Sequence, residues 1–192
     1  NLAIVRIGDG SASLTPAGTP VFVDEYSTAG VLRQSIAIPA TGGRALVNSG
    51  TASSEGALMR SPDGSLLCFA GYHADAGTAG IASTVASSIP RVVGTLNGGG
   101  TFELSASTST QFSGDNIRSA ATDGAHDFWA GGDSSGTYYL GTASAPATVQ
   151  NAVTSTRVIS VFNSNLCFTV GSGTARGLYG FNGLPVAVAS AT

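Results

Sequence analysis

One pattern recurs along this chain: a short strand, a tight turn, a second apolar strand and a closing glycine. Its clearest copy runs from Asn116 to Gly132, NIRSAATDGAHDFWAGG, where an Asp-Gly step separates two runs of apolar and small residues. Asp-Gly steps favour turns with positive φ, so each copy predicts two antiparallel strands joined by a tight turn. A chain assembled from such copies is expected to be all-β.

Gly, Pro, Asn and Asp divide the rest of the chain into strand-sized segments. A short strand containing Arg60 is predicted before the Pro62-Asp63-Gly64 turn, a glycine-rich link is predicted after Pro39, and residues 73–88 are predicted to form a long loop. The other predicted strands are Leu2–Ile7, Val21–Tyr26, Val31–Ile38, Ser65–Tyr72, Ile89–Leu96, Thr101–Ser105, Asn116–Ala121, Asp127–Ala130, Gly136–Thr142, Thr148–Val153, Thr156–Phe162, Leu166–Val170, Arg176–Phe181 and Leu184–Ala189.

The spacing of the copies indicates a propeller-like repeat. An arginine opens a unit at positions 60, 118 and 157, and a glycine closes the second strand at positions 8, 71, 131 and 171. Units of four short antiparallel strands at about 40 to 60 residues are typical of β-propeller blades. We therefore predict one β-repeat domain over residues 1–192, an all-β propeller of about four blades, each a four-stranded antiparallel meander. The units are approximately residues 1–50, 51–110, 111–153 and 154–192.

The first unit lacks an innermost strand in this alignment. A propeller buries the faces of its blades against their neighbours, so an open stack leaves two faces uncovered. We expect one of three arrangements: a small complete ring of four blades, part of a larger ring, or a ring completed by other chains. The expected partners are therefore copies of this chain, in a homo-oligomer or an assembly through the unpaired blade faces.

Charge and hydropathy exclude two classes of partner. Only 10% of the residues are charged, the net charge is −3, and all eight basic residues are arginines at wide intervals. Nucleic-acid binding needs clustered cations, so it is not expected. No apolar run approaches the roughly 18 residues of a membrane helix, so membrane insertion is not expected. Because the sequence starts at Asn1 without methionine, we expect a mature secreted protein or an excised fragment.

Six residues are candidates for ligand binding. Loops before the innermost strands of a propeller reach the central opening, which singles out Glu55, Asp115 and Asn116. The recurring Arg60, Arg118 and Arg157 have two interpretations: they line the channel for an anionic ligand, or they pair with a neighbouring blade. Repetition in several units favours the structural interpretation.

Other reactive side chains give no recognisable catalytic or metal-binding motif. His73 and His126 are expected to be exposed loop residues, and the Asp-Gly steps are explained by turns without calcium. Cys68 and Cys167 lie in apolar strands and are expected to be buried thiols rather than a disulfide. No cofactor, metal or catalytic residue is predicted. The large aromatic residues of matching strands are expected to form the core between blades; they are Phe69, Trp129 and Phe168.

The segments GDGSA, EGALMRSPDG and NIRS resemble the N-terminal half of a group of secreted, largely uncharacterised bacterial β-propeller-like repeat proteins. The similarity spans most of the 192 residues. It implies a propeller fold, export from the cell and further blades after Thr192, but it implies no catalytic site.

Three functions remain open from the sequence. The first is a secreted or cell-surface structural or interaction module without catalytic activity, which assembles with other chains. The second is a carbohydrate-binding, lectin-like propeller with a glycan as ligand. The third is a propeller hydrolase or lyase with a site in the central channel.

Overall fold

The computed structural model describes residues 1–141 and 146–192. Within those ranges the structure is all-β, and its helical segments are two single turns of 3₁₀ helix, Gly42–Arg44 and Ile81–Ser83. No helix in this part of the chain is long and apolar enough to cross a membrane. The strands of the described residues are β1 (Leu2–Ile7), β2 (Gly18–Tyr26), β3 (Leu32–Ala37), β4 (Val47–Ser49), β5 (Met59–Arg60), β6 (Leu66–Tyr72), β7 (Arg91–Asn97), β8 (Phe102–Thr108), β9 (Ile117–Thr122), β10 (Phe128–Gly132), β11 (Thr137–Tyr139), β12 (Ala147–Gln150), β13 (Thr156–Phe162), β14 (Asn165–Val170) and β15 (Gly177–Gly180).

The strands form three sheets, and every pair of neighbouring strands in them is antiparallel. The first sheet has eight strands in the order β1-β2-β4-β6-β7-β8, with β3 on β2 and β5 on β6. The second sheet has the order β12-β11-β10-β9 and the third β13-β14-β15. Strands adjacent in sequence pair with each other almost throughout, because short turns favour pairing of the strands that they connect.

The first sheet contains two meanders joined by β4, which pairs with the start of β2 and with Tyr72 at the end of β6. The structure therefore has four successive meanders. We call them layer 1 (β1–β3), layer 2 (β5–β8), layer 3 (β9–β12) and layer 4 (β13–β15).

Three apolar clusters hold consecutive layers together. The first packs Val21 and Val23 of layer 1 against Phe69 and Phe102 of layer 2. A second cluster joins the opposite face of layer 2 to layer 3, and a third joins layer 3 to layer 4 around the fully buried Trp129. Each large apolar side chain removed from water in this way contributes about 1.5–3 kcal/mol. The all-β prediction and the prediction of an aromatic core between units are confirmed, because Phe69, Trp129 and Phe168 all lie in these clusters.

The described strands do not close into a ring or barrel. Layer 1 contributes to the first cluster and layer 4 to the third, so the four layers form an open series. The four-bladed propeller therefore stays a prediction, as do its unit boundaries.

Two segments differ from the sequence prediction. The link after Pro39 contains β4, and its residues Ala45 to Ser49 are all buried. The strand predicted over Leu184–Ala189 is absent, because Pro185 has no N–H to donate to a sheet and its carbonyl accepts the indole N–H of Trp129 at 2.7 Å. The end of the predicted strand at Thr142 lies outside the described residues.

The four aligned glycines are required for different reasons. Gly8 has a φ of 77°. Gly71 and Gly131 are buried where layers approach closely: a Cβ on Gly71 would lie 2.6 Å from the Leu46 side chain, and one on Gly131 would lie 2.3 Å from Thr156 Cγ2. Gly171 lies beneath the side chain of Arg157.

We expect Gly131→Ala to lower the free energy of unfolding by about 1–3 kcal/mol, because the added methyl group overpacks the contact between layers 3 and 4. Urea denaturation followed by tryptophan fluorescence measures this change. Gly98→Ala is the matched control, because a Cβ there meets nothing within 4 Å. Equal stability of the two variants would contradict the close approach at Gly131.

Candidate functional site

The first strands of layers 2, 3 and 4 lie side by side. Ala57 forms an isolated parallel bridge with Ser119 of β9, and the Ser119 hydroxyl accepts the backbone N–H of Ile159 in β13 at 3.0 Å. The loops that precede these strands therefore converge. We call the group of side chains at this point the polar junction; its members are Ser54, Glu55, Asn116, Arg118, Asp133 and Ser155.

Glu55 links layers 2 and 3 within the polar junction. Its carboxylate accepts the backbone N–H of Ser49 at 2.9 Å, the Tyr72 hydroxyl at 2.6 Å and the side-chain amide of Asn116. Burial raises the pKa of the Glu55 carboxyl above its ordinary value, although the three hydrogen bonds oppose the rise. The pKa of the fully buried Tyr72 is raised too, by burial and by the neighbouring Glu55. Both carboxylate oxygens are thus used within the protein.

Asp115 and Asn116 fix the loop between β10 and β11. Asp115 accepts the backbone N–H of Ser134 at 2.6 Å, and the carbonyl of Asn116 accepts the N–H of Asp133 at 3.1 Å. Asn116 also donates to Glu55. The structure thus places two of the predicted ligand-binding residues, Glu55 and Asn116, in direct contact, with Asp115 beside them and turned to the loop.

Arg118 is the centre of the polar junction and is only 4% exposed. Its Nε donates to the Ser54 hydroxyl at 3.1 Å, one Nη donates to the Ser155 hydroxyl at 3.2 Å, and the other forms an ion pair with Asp133 at 2.6 Å. One guanidinium group therefore connects layers 2, 3 and 4. For Arg118, this geometry agrees with the structural interpretation, in which the arginine pairs with neighbouring layers rather than binding an anionic ligand.

The three aligned arginines do not occupy one structural position. Arg60 pairs with Leu67 at the far end of β5, and its exposed guanidinium donates to the Gly64 carbonyl at 3.3 Å. Arg118 and Arg157 instead lie near the starts of β9 and β13, at irregularities where neither has a partner in the strand register. Bulges turn side chains away from the regular alternation, which the spacing in the sequence does not reveal. Arg60 is therefore separate from the polar junction.

Arg157 differs from Arg118 in having no hydrogen-bonding or ionic partner among the described residues. Its side chain lies across Gly171, where a Cβ would come within 2.5 Å of its Nε. The same side chain lines an open depression together with residues 53–57 and Val158. The structure thus places Arg157 beside the polar junction, on the solvent side.

Sequence reasoning missed one further arginine. Arg91 is fully buried, and its two terminal nitrogens donate to carbonyl oxygens, including those of Ile89 at 2.8 Å, Thr84 at 2.6 Å and Asp115 at 3.2 Å. Its guanidinium carbon lies 5.0 Å from the centre of the Tyr72 ring. Burial lowers the pKa of Arg91. The residue ties the long loop before β7 to the start of layer 3, and an isolated arginine at a strand entry gives no signal of that role.

The remaining reactive groups are dispersed. His73 is half-buried at the end of β6 and His126 is exposed in the turn before β10. Both cysteines are free thiols; Cys68 is fully buried, which raises its pKa, and Cys167 is partly exposed. Within residues 1–141 and 146–192, no group of three or more His, Cys, Asp and Glu side chains is placed to hold a metal ion.

Comparison with known proteins found no family model that matches this chain, and no curated protein matches it significantly. The resemblance to secreted repeat proteins therefore stays a prediction.

We expect Arg118→Met to lower the free energy of unfolding by about 2–4 kcal/mol, because it removes the charge-assisted hydrogen bonds and the ion pair with Asp133 that join three layers. Urea denaturation measures the loss. Arg60→Met is the matched control, expected to change stability by no more than about 0.5 kcal/mol because its side chain is exposed. Similar losses in both variants would show that the polar junction does not stabilise the layers.

Proposed function

We propose that this chain is a β-propeller module of a secreted or cell-surface protein, with a structural or interaction role. It acts by stacking its outermost sheets against further copies of itself. The observation that carries the proposal is the exposure of large apolar side chains on the outward faces of layers 1 and 4.

The arrangement of the layers supports a propeller-like module. Four antiparallel meanders follow one another in sequence, and each packs its face against the next. The first strands of layers 2, 3 and 4 are neighbours, with Ala57 and Ser119 in a parallel bridge. Blades arranged around an axis require their first strands to lie next to one another at the inner edge.

The outward face of layer 1 carries exposed apolar side chains next to an ion pair. Leu2, Ile4 and Leu32 are 62%, 40% and 50% exposed. Further along β1, Arg6 binds Asp24 at 2.6 Å, and the Arg6 guanidinium lies 4.3 Å from the centre of the Phe22 ring. The ion pair satisfies its own charges, so it does not prevent this face from being covered.

The outward face of layer 4 carries the other exposed apolar group. Phe162 is 74% exposed and Leu178 is 73% exposed, and the half-buried Val158 and Cys167 lie on the same face by strand alternation. The opposite face of this layer is covered by layer 3. Exposed apolar groups on two flat sheet faces are typical of interaction surfaces.

A second copy of the chain is the partner we propose. Within the chain, the same kind of contact, one sheet face on the next, occurs three times. A contact between layer 4 of one copy and layer 1 of the next continues that series. Such a head-to-tail interface generates a ring if the rotation closes and a filament if it does not.

The glycan-binding and enzymatic alternatives have less support. The aromatic residues of the matching strands, Phe69, Trp129 and Phe168, are buried between layers, so their rings are not available to stack on a sugar. An extracellular location remains part of the proposal and rests on the resemblance of the sequence to exported repeat proteins.

We expect the wild-type chain to form oligomers whose population grows with concentration in native mass spectrometry and light scattering. Leu32→Ser and Leu178→Ser, one on each outward face, are each expected to weaken association by about tenfold or more, because each removes an apolar side chain from the interface. Neither substitution should lower the free energy of unfolding of the monomer by more than about 0.5 kcal/mol, since both side chains are exposed.

Val85→Ser is the matched control, because Val85 is 53% exposed in the loop before β7 and belongs to neither outward face. It should leave association unchanged. A wild-type chain that stays monomeric at every concentration would overturn the proposal, and so would equal association of the control and the two face variants.

A further inference from the structure

An open depression of about 320 Å³ lies next to the polar junction. One wall is the segment from Ser53 to Ala57, which leads into β5, and the other is Arg157 with Val158 at the start of β13. Layers 2 and 4 thus contribute opposite walls, across the first strand of layer 3. The depression borders the outward face of layer 4 at Val158, whereas its other lining residues belong to neither outward face.

Arg157 contributes to this depression a guanidinium group that has no partner among the described residues. None of the described residues forms a hydrogen bond or ion pair with its guanidinium, although it is half-buried. Gly171 leaves room for the arginine side chain, since a Cβ on it would lie 2.5 Å from Arg157 Nε. A planar guanidinium with free N–H groups offers a bidentate site that matches the two oxygens of a carboxylate.

Ser54 supplies a hydroxyl donor from the opposite wall. Its Oγ accepts the Nε–H of Arg118 at 3.1 Å, so its own hydrogen remains available for another acceptor. Arg118 is buried and already paired with Asp133, so it fixes the orientation of this hydroxyl without entering the depression. The polar junction therefore fixes the Ser54 side of the depression.

The charges around the depression favour an anion. Glu55 belongs to the wall, but three protein donors already bind its carboxylate and burial raises its pKa. Arg118 and Asp133 form an ion pair. Arg157 is the charged side chain of this group that has neither a hydrogen-bonding nor an ionic partner among the described residues.

We infer that this depression binds a carboxylate group of a larger molecule, with Arg157 as a bidentate donor and Ser54 as an additional one. The open shape suits an acidic group displayed on a chain rather than an enclosed small molecule. The carboxylate comes from an acidic sugar or from the end of a peptide, and these two sources share the same recognition chemistry.

Ligand-observed NMR titration of the whole chain tests this inference, because the method works in any oligomeric state. Glucuronate represents the acidic sugar, N-acetylglycine the peptide carboxylate, and glucose a neutral sugar. We expect at least one of the carboxylates to bind with a dissociation constant on the order of 1 mM, and glucose to bind at least about tenfold more weakly. The stronger of the two carboxylates identifies the source.

Arg157→Gln is expected to weaken carboxylate binding by about tenfold or more, since it removes a charge-assisted pair of hydrogen bonds. Arg157→Lys keeps the positive charge but loses the planar pair of N–H donors. Its affinity for the carboxylate should therefore fall between those of the wild type and the glutamine variant. Arg176→Gln removes the same charge from an exposed site in the loop before β15 and should change nothing.

Three results would overturn the inference. They are binding of neither carboxylate, binding of glucose as tight as that of the carboxylates, and unchanged carboxylate affinity in Arg157→Gln, any one of which is sufficient. If Arg157→Gln does not fold, as judged by its circular dichroism, the lysine variant decides the outcome alone: wild-type affinity in it contradicts the bidentate site.

Discussion

The packing of one apolar sheet face against the next is the interaction on which the rest of this structure depends. A single meander of short strands has two faces and little core of its own, so it is stable only when another layer covers it. Among the described residues, three apolar interfaces meet that need for four layers. Because charged residues are so few, small and apolar side chains are available for both faces of layers 2 and 3. The same requirement leaves layers 1 and 4 with one uncovered face each.

The polar junction joins the layers through hydrogen bonds and an ion pair, in addition to these apolar interfaces. Where the first strands of layers 2, 3 and 4 meet, the loop backbones turn and leave carbonyl and hydroxyl groups that need partners. Arg118 and Glu55 satisfy groups from neighbouring layers and so fix the layers relative to one another. Arg157 lies beside them and has no hydrogen-bonding or ionic partner among the described residues. Arg118 is therefore a structural arginine, whereas Arg157 is available to a ligand.

Local signals predicted most of the strands but not their three-dimensional register. Turn chemistry such as the Pro62-Asp63-Gly64 step predicted where strands end, because these residues have strong backbone preferences. Alignment of the units predicted that Arg60 and Arg118 are equivalent, and this prediction was wrong. Arg60 lies at the far end of β5, which is only two residues long, whereas Arg118 lies at an irregularity near the start of β9. The segment that contains the buried strand β4 was predicted to be a glycine-rich link, although the apolar run Ala45-Leu46-Val47 in that segment indicated burial.

The candidate site was predictable only in part. Glu55 and Asn116 were singled out because loops before first strands converge in propeller-like folds, and Arg118 because an arginine recurs in the opening strands of the units. The structure places these three residues together. Arg91 was missed, because its role depends on the fold of a 16-residue loop predicted over residues 73–88, for which the sequence gives no pattern. Which arginine is paired and which is free depends on long-range contacts such as the one between Arg118 and Asp133, and spacing along the chain does not encode those contacts.

Amide hydrogen exchange at low and high protein concentration, followed by mass spectrometry, tests the central claim most directly. The account predicts that peptides from the outermost strands, β1 and β3 of layer 1 and β13 and β15 of layer 4, exchange more slowly at high concentration. Peptides from β7 and β10, which are covered within one chain, should exchange at the same rate at both concentrations. Exchange of the outermost strands that is independent of concentration would contradict the claim that layers 1 and 4 are covered by further copies.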